Sequence, residues 1–255
     1  SPGADWTVTG QEEGIHLGAA VAGAGDVNGD GYADVAVGTP GFWSDHGQAQ
    51  VYYGGAAGLE STPAWSAQGE FFDDEFGTSL ASAGDVNGDG YADLIVGAYA
   101  HDADAKMGKA YVYTGSASGL GDTAGWSASG LADGDQFSYS VAGAGDVNGD
   151  GYADVVVGAP HYSSAGVISR GRIAVYLGSA VGLASTAASS AQGAGSGDEL
   201  GYAVAGAGDL NGDGFADVVA GAPFRDAPED TSGTAYVYFG NVDPGRAAVP
   251  RQARA

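Results

Sequence analysis

The chain has 255 residues and a mass of 25.0 kDa, with 8 basic residues against 32 acidic ones, a formal charge of -24 and a pI near 4.1. That length suffices for one large domain or two small ones with a proper core, and the anionic excess argues against nucleic acid and acidic membrane surfaces as partners. Cysteine is absent, which removes disulfides, thiolate metal sites and a cysteine nucleophile, and no run approaches the ~18 apolar residues of a membrane-spanning helix, so no membrane insertion is expected.

Glycine is abundant at 48 residues, but 44% of the chain is apolar and 14 residues are Tyr, so the composition is that of a folded protein. Its organisation is a fourfold repeat. The string Gly-Asp-Val-Asn-Gly-Asp-Gly-Tyr-Ala-Asp occupies 25–34, 84–93 and 145–154, and 208–217 differs only by Leu210 and Phe215. The first Asp recurs at spacings of 59, 61 and 63 residues. Twenty residues before it stands Trp6, Trp65, Trp126 or Ser189, and downstream a Val-Tyr pair recurs at 51–52, 112–113, 175–176 and 237–238. Repeats of about 60 residues are propeller-sized, longer than solenoid coils.

Each repeat reads as four short strands, taken here in chain order. Strand D opens at the Trp and ends near Gly10, Gly69, Gly130 and Gly193. Strand A is a run of small residues such as Ser140–Gly145, fitted to a crowded axis. The acidic string follows as a hairpin loop. Strand B is the apolar run after it, such as 152–158, and strand C is the Val-Tyr segment, such as 110–113. The expected fold is an all-β propeller of four-stranded antiparallel blades over 1–240, with repeats near 6–64, 65–125, 126–188 and 189–240. A basic irregular tail over 241–255 carries Arg246, Arg251 and Arg254. The strand D at Trp6 either completes the last blade, closing a ring of four, or belongs to a blade of a larger ring; both readings stand at this point, as does association of two copies.

Within the acidic string, oxygen-bearing side chains fall at positions 1, 3, 5 and 9, and glycine at 4 and 6 permits the tight wrapping of a cation loop. Three carboxylates in nine residues repel one another unless compensated, and Ca²⁺ accepts six to eight oxygen ligands with loose geometry. The expected ligands are Asp26, Asn28, Asp30 and Asp34; Asp85, Asn87, Asp89 and Asp93; Asp146, Asn148, Asp150 and Asp154; and Asp209, Asn211, Asp213 and Asp217. The backbone carbonyls at position 7 join them, from Tyr32, Tyr91, Tyr152 and Phe215. Four calcium sites are thus expected. Position 12 is Val37, Val96, Val157 or Ala220, so the loop lacks the bidentate Glu of an EF-hand. The bland alternative is an Asn-Gly turn with Asx-turn side chains, which accounts for one or two of the polar residues in each copy.

These residues resemble the FG-GAP repeats of the integrin α-subunit propeller and its bacterial relatives. The FG element is Phe76-Gly77, with variants Leu17-Gly18, Phe137-Ser138 and Leu200-Gly201; the GAP element is Gly158-Ala159-Pro160 and Gly221-Ala222-Pro223, and loosely Gly38-Thr39-Pro40 and Gly97-Ala98-Tyr99. The resemblance runs from about Trp6 to Gly240 and implies a β-propeller with calcium in the A–B loops. Two departures are that propellers of the family usually have seven blades, against four repeats here, and that no inserted domain carries an Asp-x-Ser-x-Ser adhesion site.

In such blades the B–C and D–A loops share the face opposite the calcium loops. The B–C loops, 39–46, 98–107, 159–170 and 222–232, vary in length and hold Trp43, His46, His101, Lys106, His161, Arg170 and Arg225, whereas the D–A loops are acidic. Variable loops on a constant scaffold carry recognition, so this face is expected to take a protein or glycan ligand. No catalytic residue is assigned: the histidines lie in different repeats without an evident local partner, and Asp73, Asp74 and Glu75 read better as a solvated turn than as a carboxylate pair. The expected function is a secreted or cell-surface, calcium-binding recognition or adhesion module. The alternative is a propeller that belongs to, or assists, a secreted hydrolase of glycans or lipids.

Overall fold

The computed structural model describes residues 3–11, 13–102, 105–225 and 232–242; most of the expected basic tail, from 243 onward, lies outside them. Blade one comprises β1 (Ala20–Gly25), β2 (Asp34–Thr39), β3 (Gln48–Tyr52) and β4 (Trp65–Gln68), with one helical turn, α1 (Phe42–Asp45), between β2 and β3. Blade two comprises β5 (Ser79–Gly84), β6 (Asp93–Ala98), β7 (Lys109–Tyr113) and β8 (Trp126–Ser129). Blade three comprises β9 (Ser140–Gly145), β10 (Asp154–Ala159), β11 (Arg172–Tyr176) and β12 (Ser189–Gln192), and blade four β13 (Ala203–Gly208), β14 (Asp217–Ala222) and β15 (Thr234–Tyr238). Every sheet is antiparallel in sequence order, and the fourth has three strands among the described residues.

Register is the same in every blade. Val37 pairs with Val21 on one side and Gln50 on the other, as Val96 pairs with Leu80 and Tyr111. Strand A ends in a bulge at Gly25, Gly84, Gly145 or Gly208, all at positive φ, where the chain turns into the acidic loop. Strand B begins at the last Asp of the loop, two residues later than the sequence pattern indicates, because that side chain is itself part of the loop's hydrogen bonding.

The inner strands β1, β5, β9 and β13 stand side by side, and the core lies between blades. One cluster joins Val27, Ala36 and Val51 of blade one to Phe76, Leu94, Val96 and Tyr113 of blade two; the next two repeat it one blade further on. Strands β6 and β10 are buried along their whole length because both faces meet a neighbour. The FG and GAP elements meet at each joint: a methyl group on Gly38 would lie 1.9 Å from the carbonyl oxygen of Gly77, so only glycine allows this backbone approach. At the second joint the FG glycine is replaced by Ser138, held at φ 69°, and its hydroxyl accepts from Ala98 N–H at 3.1 Å and donates to Lys109 O at 2.8 Å.

The strand expected at 6–10 is not formed. Trp6 nonetheless sits where a D strand's Trp sits: its ring meets Tyr52 edge-on at 5.0 Å, as Trp65 meets Tyr113 at 4.8 Å and Trp126 meets Tyr176 at 4.9 Å. Its Nε1 donates to Glu60 O, as those of Trp65 and Trp126 donate to Gly121 O and Ala184 O. The Trp residues are thus packing elements between blades. Closure of blade four by the chain's own 6–10 segment is absent among the described residues: β15 pairs only with β14. The strand is missing at 6–10 because no strand C lies beside it.

Candidate functional site

The four acidic loops have one geometry. Asp26 Oδ1 accepts the N–H groups of Gly29 at 2.7 Å and Asp30 at 3.1 Å, and Oδ2 that of Gly31 at 2.9 Å. Asn28 Oδ1 accepts Asp30 N–H, Asn28 Nδ2 donates to Asp30 Oδ2, and Asp30 Oδ1 accepts Tyr32 N–H. The same bonds recur around Asp85, Asp146 and Asp209. Positions 1, 3 and 5 are therefore brought together on one exposed loop. These bonds hold Asp209 below the ordinary carboxylate range, the Gly214 N–H foremost.

Position 9 stands apart. Asp34, Asp93, Asp154 and Asp217 are buried, at 0 to 1% exposure. In each, Oδ2 accepts the N–H at position 2 of the loop, from Val27, Val86, Val147 or Leu210, at 2.8 to 2.9 Å. Oδ1 accepts the N–H of the glycine that follows strand C, from Gly54, Gly115, Gly178 or Gly240, at 2.8 to 2.9 Å. Burial pushes Asp93 and Asp154 up to about 6, against the opposing pull of those N–H groups, with the loop's other carboxylates adding to the rise. Position 7 has a packing role that the sequence pattern did not reveal: the rings of Tyr91, Tyr152 and Phe215 cover Gly29, Gly88 and Gly149 of the preceding blade's loop, while Tyr32 is 44% exposed.

The donor chemistry of these loops suits a hard cation, all oxygen and mostly anionic. No Lys, Arg or His forms an ion pair with a loop carboxylate among the described residues. The cage is not preformed: no three carboxylate or imidazole side chains converge on one point among the described residues, since each is turned onto the loop's own N–H groups.

On the opposite face, B–C loops lie against D–A loops. His101 Nδ1 is 3.1 Å from the fully buried Asp74, and its Nε2 is 3.9 Å from Glu70, which also pairs with Lys109 Nζ at 2.7 Å. His161 faces Glu199 at 3.8 Å. Two of the loop histidines thus have local acidic partners, contrary to the reading of the sequence, because the D–A loop folds back over the B–C loop. Asp74 is not half of an exposed carboxylate pair; its Oδ2 also accepts Phe71 N–H at 2.9 Å, fixing the turn. Nδ1 of the His101 ring lies within hydrogen-bond reach of Asp74 and of the Tyr111 hydroxyl, which hold the ring in place.

His46 is buried, stacked on Trp43 at 4.6 Å and met edge-on by Phe72 at 4.4 Å. Arg170 is engaged with Gly193 O and Ser164, and Arg225 lies over the Tyr236 ring, whereas Lys106 is exposed. Trp43 at 60%, Phe71 at 57% and Phe72 at 63% exposure are the outward aromatic groups around His46 and His101, and Leu131, Ile168 and Phe224 are also exposed on these loops. The two phenylalanines were not singled out by sequence, although a double aromatic inside the acidic run 70–75 was visible there.

A sequence profile of the FG-GAP repeat matches residues 17–53, 76–118, 137–176 and 200–238. Integrin alpha-4 of Xenopus laevis is 30% identical over 187 residues, 69% of this chain and 17% of that protein. Integrin alpha-V of Gallus gallus is 30% identical over 190 residues, 69% of this chain and 18% of its own length. Integrin alpha pat-2 of Caenorhabditis briggsae is 36% identical over 181 residues, 62% of this chain and 14% of its own. The chain spans less than a fifth of each of these relatives.

Proposed function

We propose a function from one premise: the chain belongs to the FG-GAP repeat family. Within it, the chain acts as a secreted or cell-surface recognition module, non-catalytic, whose A–B loops take up calcium. The observation that carries the calcium reading is the fourfold set of carboxylates at positions 1, 5 and 9, with no ion pair to a cationic side chain among the described residues. Asp26, Asn28 and Asp30 and their counterparts would hold the ion, with the position-7 carbonyl; the position-9 carboxylate, already spanned between two N–H groups, would present its remaining lone pairs. A bound cation would supply charge compensation to the carboxylates of positions 1 and 5, with the Asn amide oxygen of position 3 as a neutral donor. Affinity in the sub-millimolar to millimolar range typical of extracellular modules is expected.

Recognition is assigned to the B–C and D–A face, at the aromatic group Trp43, Phe71 and Phe72 beside the acidic Glu70 and Glu75. Exposed aromatics on rigid loops supply contact area at low entropic cost, and the ligand is a protein or a glycan. The test is binding to arrays of glycans and extracellular matrix proteins, in calcium and in chelator. Retention that is lost with Trp43→Ser and Phe72→Ser and kept with Val181→Ser, a 95% exposed residue outside these loops, supports the reading. Retention indifferent to the aromatic substitutions would overturn it, and turnover of a glycan or lipid ester would favour the hydrolase alternative.

A further inference from the structure

The acidic loops are fastened to one another across the joints between blades. Position 1 of each of the first three loops accepts, through its carbonyl, the N–H of position 8 in the next loop: Ala92 donates to Asp26 O at 3.0 Å, Ala153 to Asp85 O at 3.0 Å and Ala216 to Asp146 O at 2.8 Å. Position 2 accepts an N–H from the turn after strand C of the next blade. Ser116 donates to Val27 O and Ser179 to Val86 O at 3.1 Å, and Asn241 to Val147 O at 2.9 Å. The ring at position 7 lies over the position-4 glycine, so that a methyl group on Gly29 or Gly88 would come within 2.5 or 2.6 Å of Tyr91 or Tyr152.

The residues that make these contacts are those that would feel a cation in their own loop. Tyr91 would give it a carbonyl and Asp93 a carboxylate, and Ala92 stands between them. Asp93 also accepts the N–H of Gly115, the residue before Ser116, and Asp154 that of Gly178, the residue before Ser179. Positions 7 to 9 of one loop thus grip positions 1 to 4 of the loop before it, the stretch that carries Asp26 and Asn28 in blade one and Asp85 and Asn87 in blade two.

Resting on the calcium reading, we infer that the loops take up their ions cooperatively through these contacts. A loop ordered by its own ion holds the preceding loop in place, so the second uptake has less chain to order. Linkage makes the effect reciprocal, and about 5-fold in affinity is expected at each joint. Charge acts in the opposite direction, since each ion weakens the anionic field at the next loop, but salt screens that effect and leaves the contacts intact.

The test is native mass spectrometry of the 255-residue chain, titrated with Ca²⁺ in concentrated ammonium acetate. At half-saturation the ion-free and four-ion species are expected to exceed the proportions of independent sites, at the expense of the two-ion species. Unequal affinities alone shift the distribution the other way. Tyr152→Ala keeps every oxygen ligand and removes the ring over Gly88; it is expected to bind four ions still, with the two-ion species restored in part. In a chain that already lacks the second site through Asp85→Ala and Asp89→Ala, Tyr152→Ala is expected to leave uptake of the other three ions unchanged. An effect of Tyr152→Ala that persists in that chain would mean local damage to the third loop and overturns the inference. So does a binomial spread of ions or an excess of two-ion species, either of which leaves the calcium reading standing, whereas a chain that binds no ions overturns both.

Discussion

The carboxylate of Asp93 accepts the N–H of Gly115 at 2.8 Å across 22 residues, while its other oxygen accepts that of Val86. One buried side chain thus fastens the acidic loop to the turn that follows strand C, and the arrangement recurs in all four blades. The last Asp of the loop is a clamp of the fold before it is anything else. Replacing it orphans two buried donors, each costing about 1–3 kcal/mol.

Asp93→Ala is accordingly expected to cost about 2–4 kcal/mol in chelator, measured by denaturant unfolding. Asp89→Asn, an exposed substitution in the same loop, should change metal-free stability by less than about 0.5 kcal/mol while weakening calcium uptake. Equal losses of metal-free stability would contradict the division of roles between positions 5 and 9.

Ser138 occupies a position where the other three blades have glycine, and its hydroxyl repays the strained φ with two bonds to blade two. Ser138→Ala keeps the strain and leaves Ala98 N–H and Lys109 O without that partner, an expected loss of about 1–3 kcal/mol. Thermal unfolding in calcium, with Ser140→Ala as a reference that loses one hydroxyl bond to Gly201 O, should rank Ser138→Ala as the more damaging of the two.

Gly149 and Gly212 share a conformation, φ 77° and 75°, and differ in what lies above them. Alanine at either costs the left-handed penalty of about 1–2 kcal/mol, but at Gly149 it also strikes the Phe215 ring, adding about 1–3 kcal/mol of overpacking. Unfolding midpoints of the two variants should differ by that second amount. Equal midpoints would mean that the interblade contact over the loop is not what the geometry describes.

The loops, the strand order and the blade count were legible in the sequence because a period near 60 residues fixes them together. The roles within the loop were not. Asp34 and Asp26 look alike in a string of acids, and only the fold puts Gly54 beside the first and solvent beside the second. The aromatic at position 7 read as a carrier of a backbone carbonyl, yet its ring covers the preceding loop, a contact between residues about 60 apart that no local pattern encodes. The pairing of His101 with Asp74 was missed for the same reason, 27 residues separating partners that sit in different blades' loops.

The central claim, that the acidic loops are calcium sites, is tested most directly by counting bound ions. Native mass spectrometry of the chain equilibrated with millimolar Ca²⁺ should find four ions per chain, falling to three with Asp85→Ala and Asp89→Ala combined. A chain that carries no ions under these conditions, and melts at the same temperature in chelator as in calcium, would contradict the account.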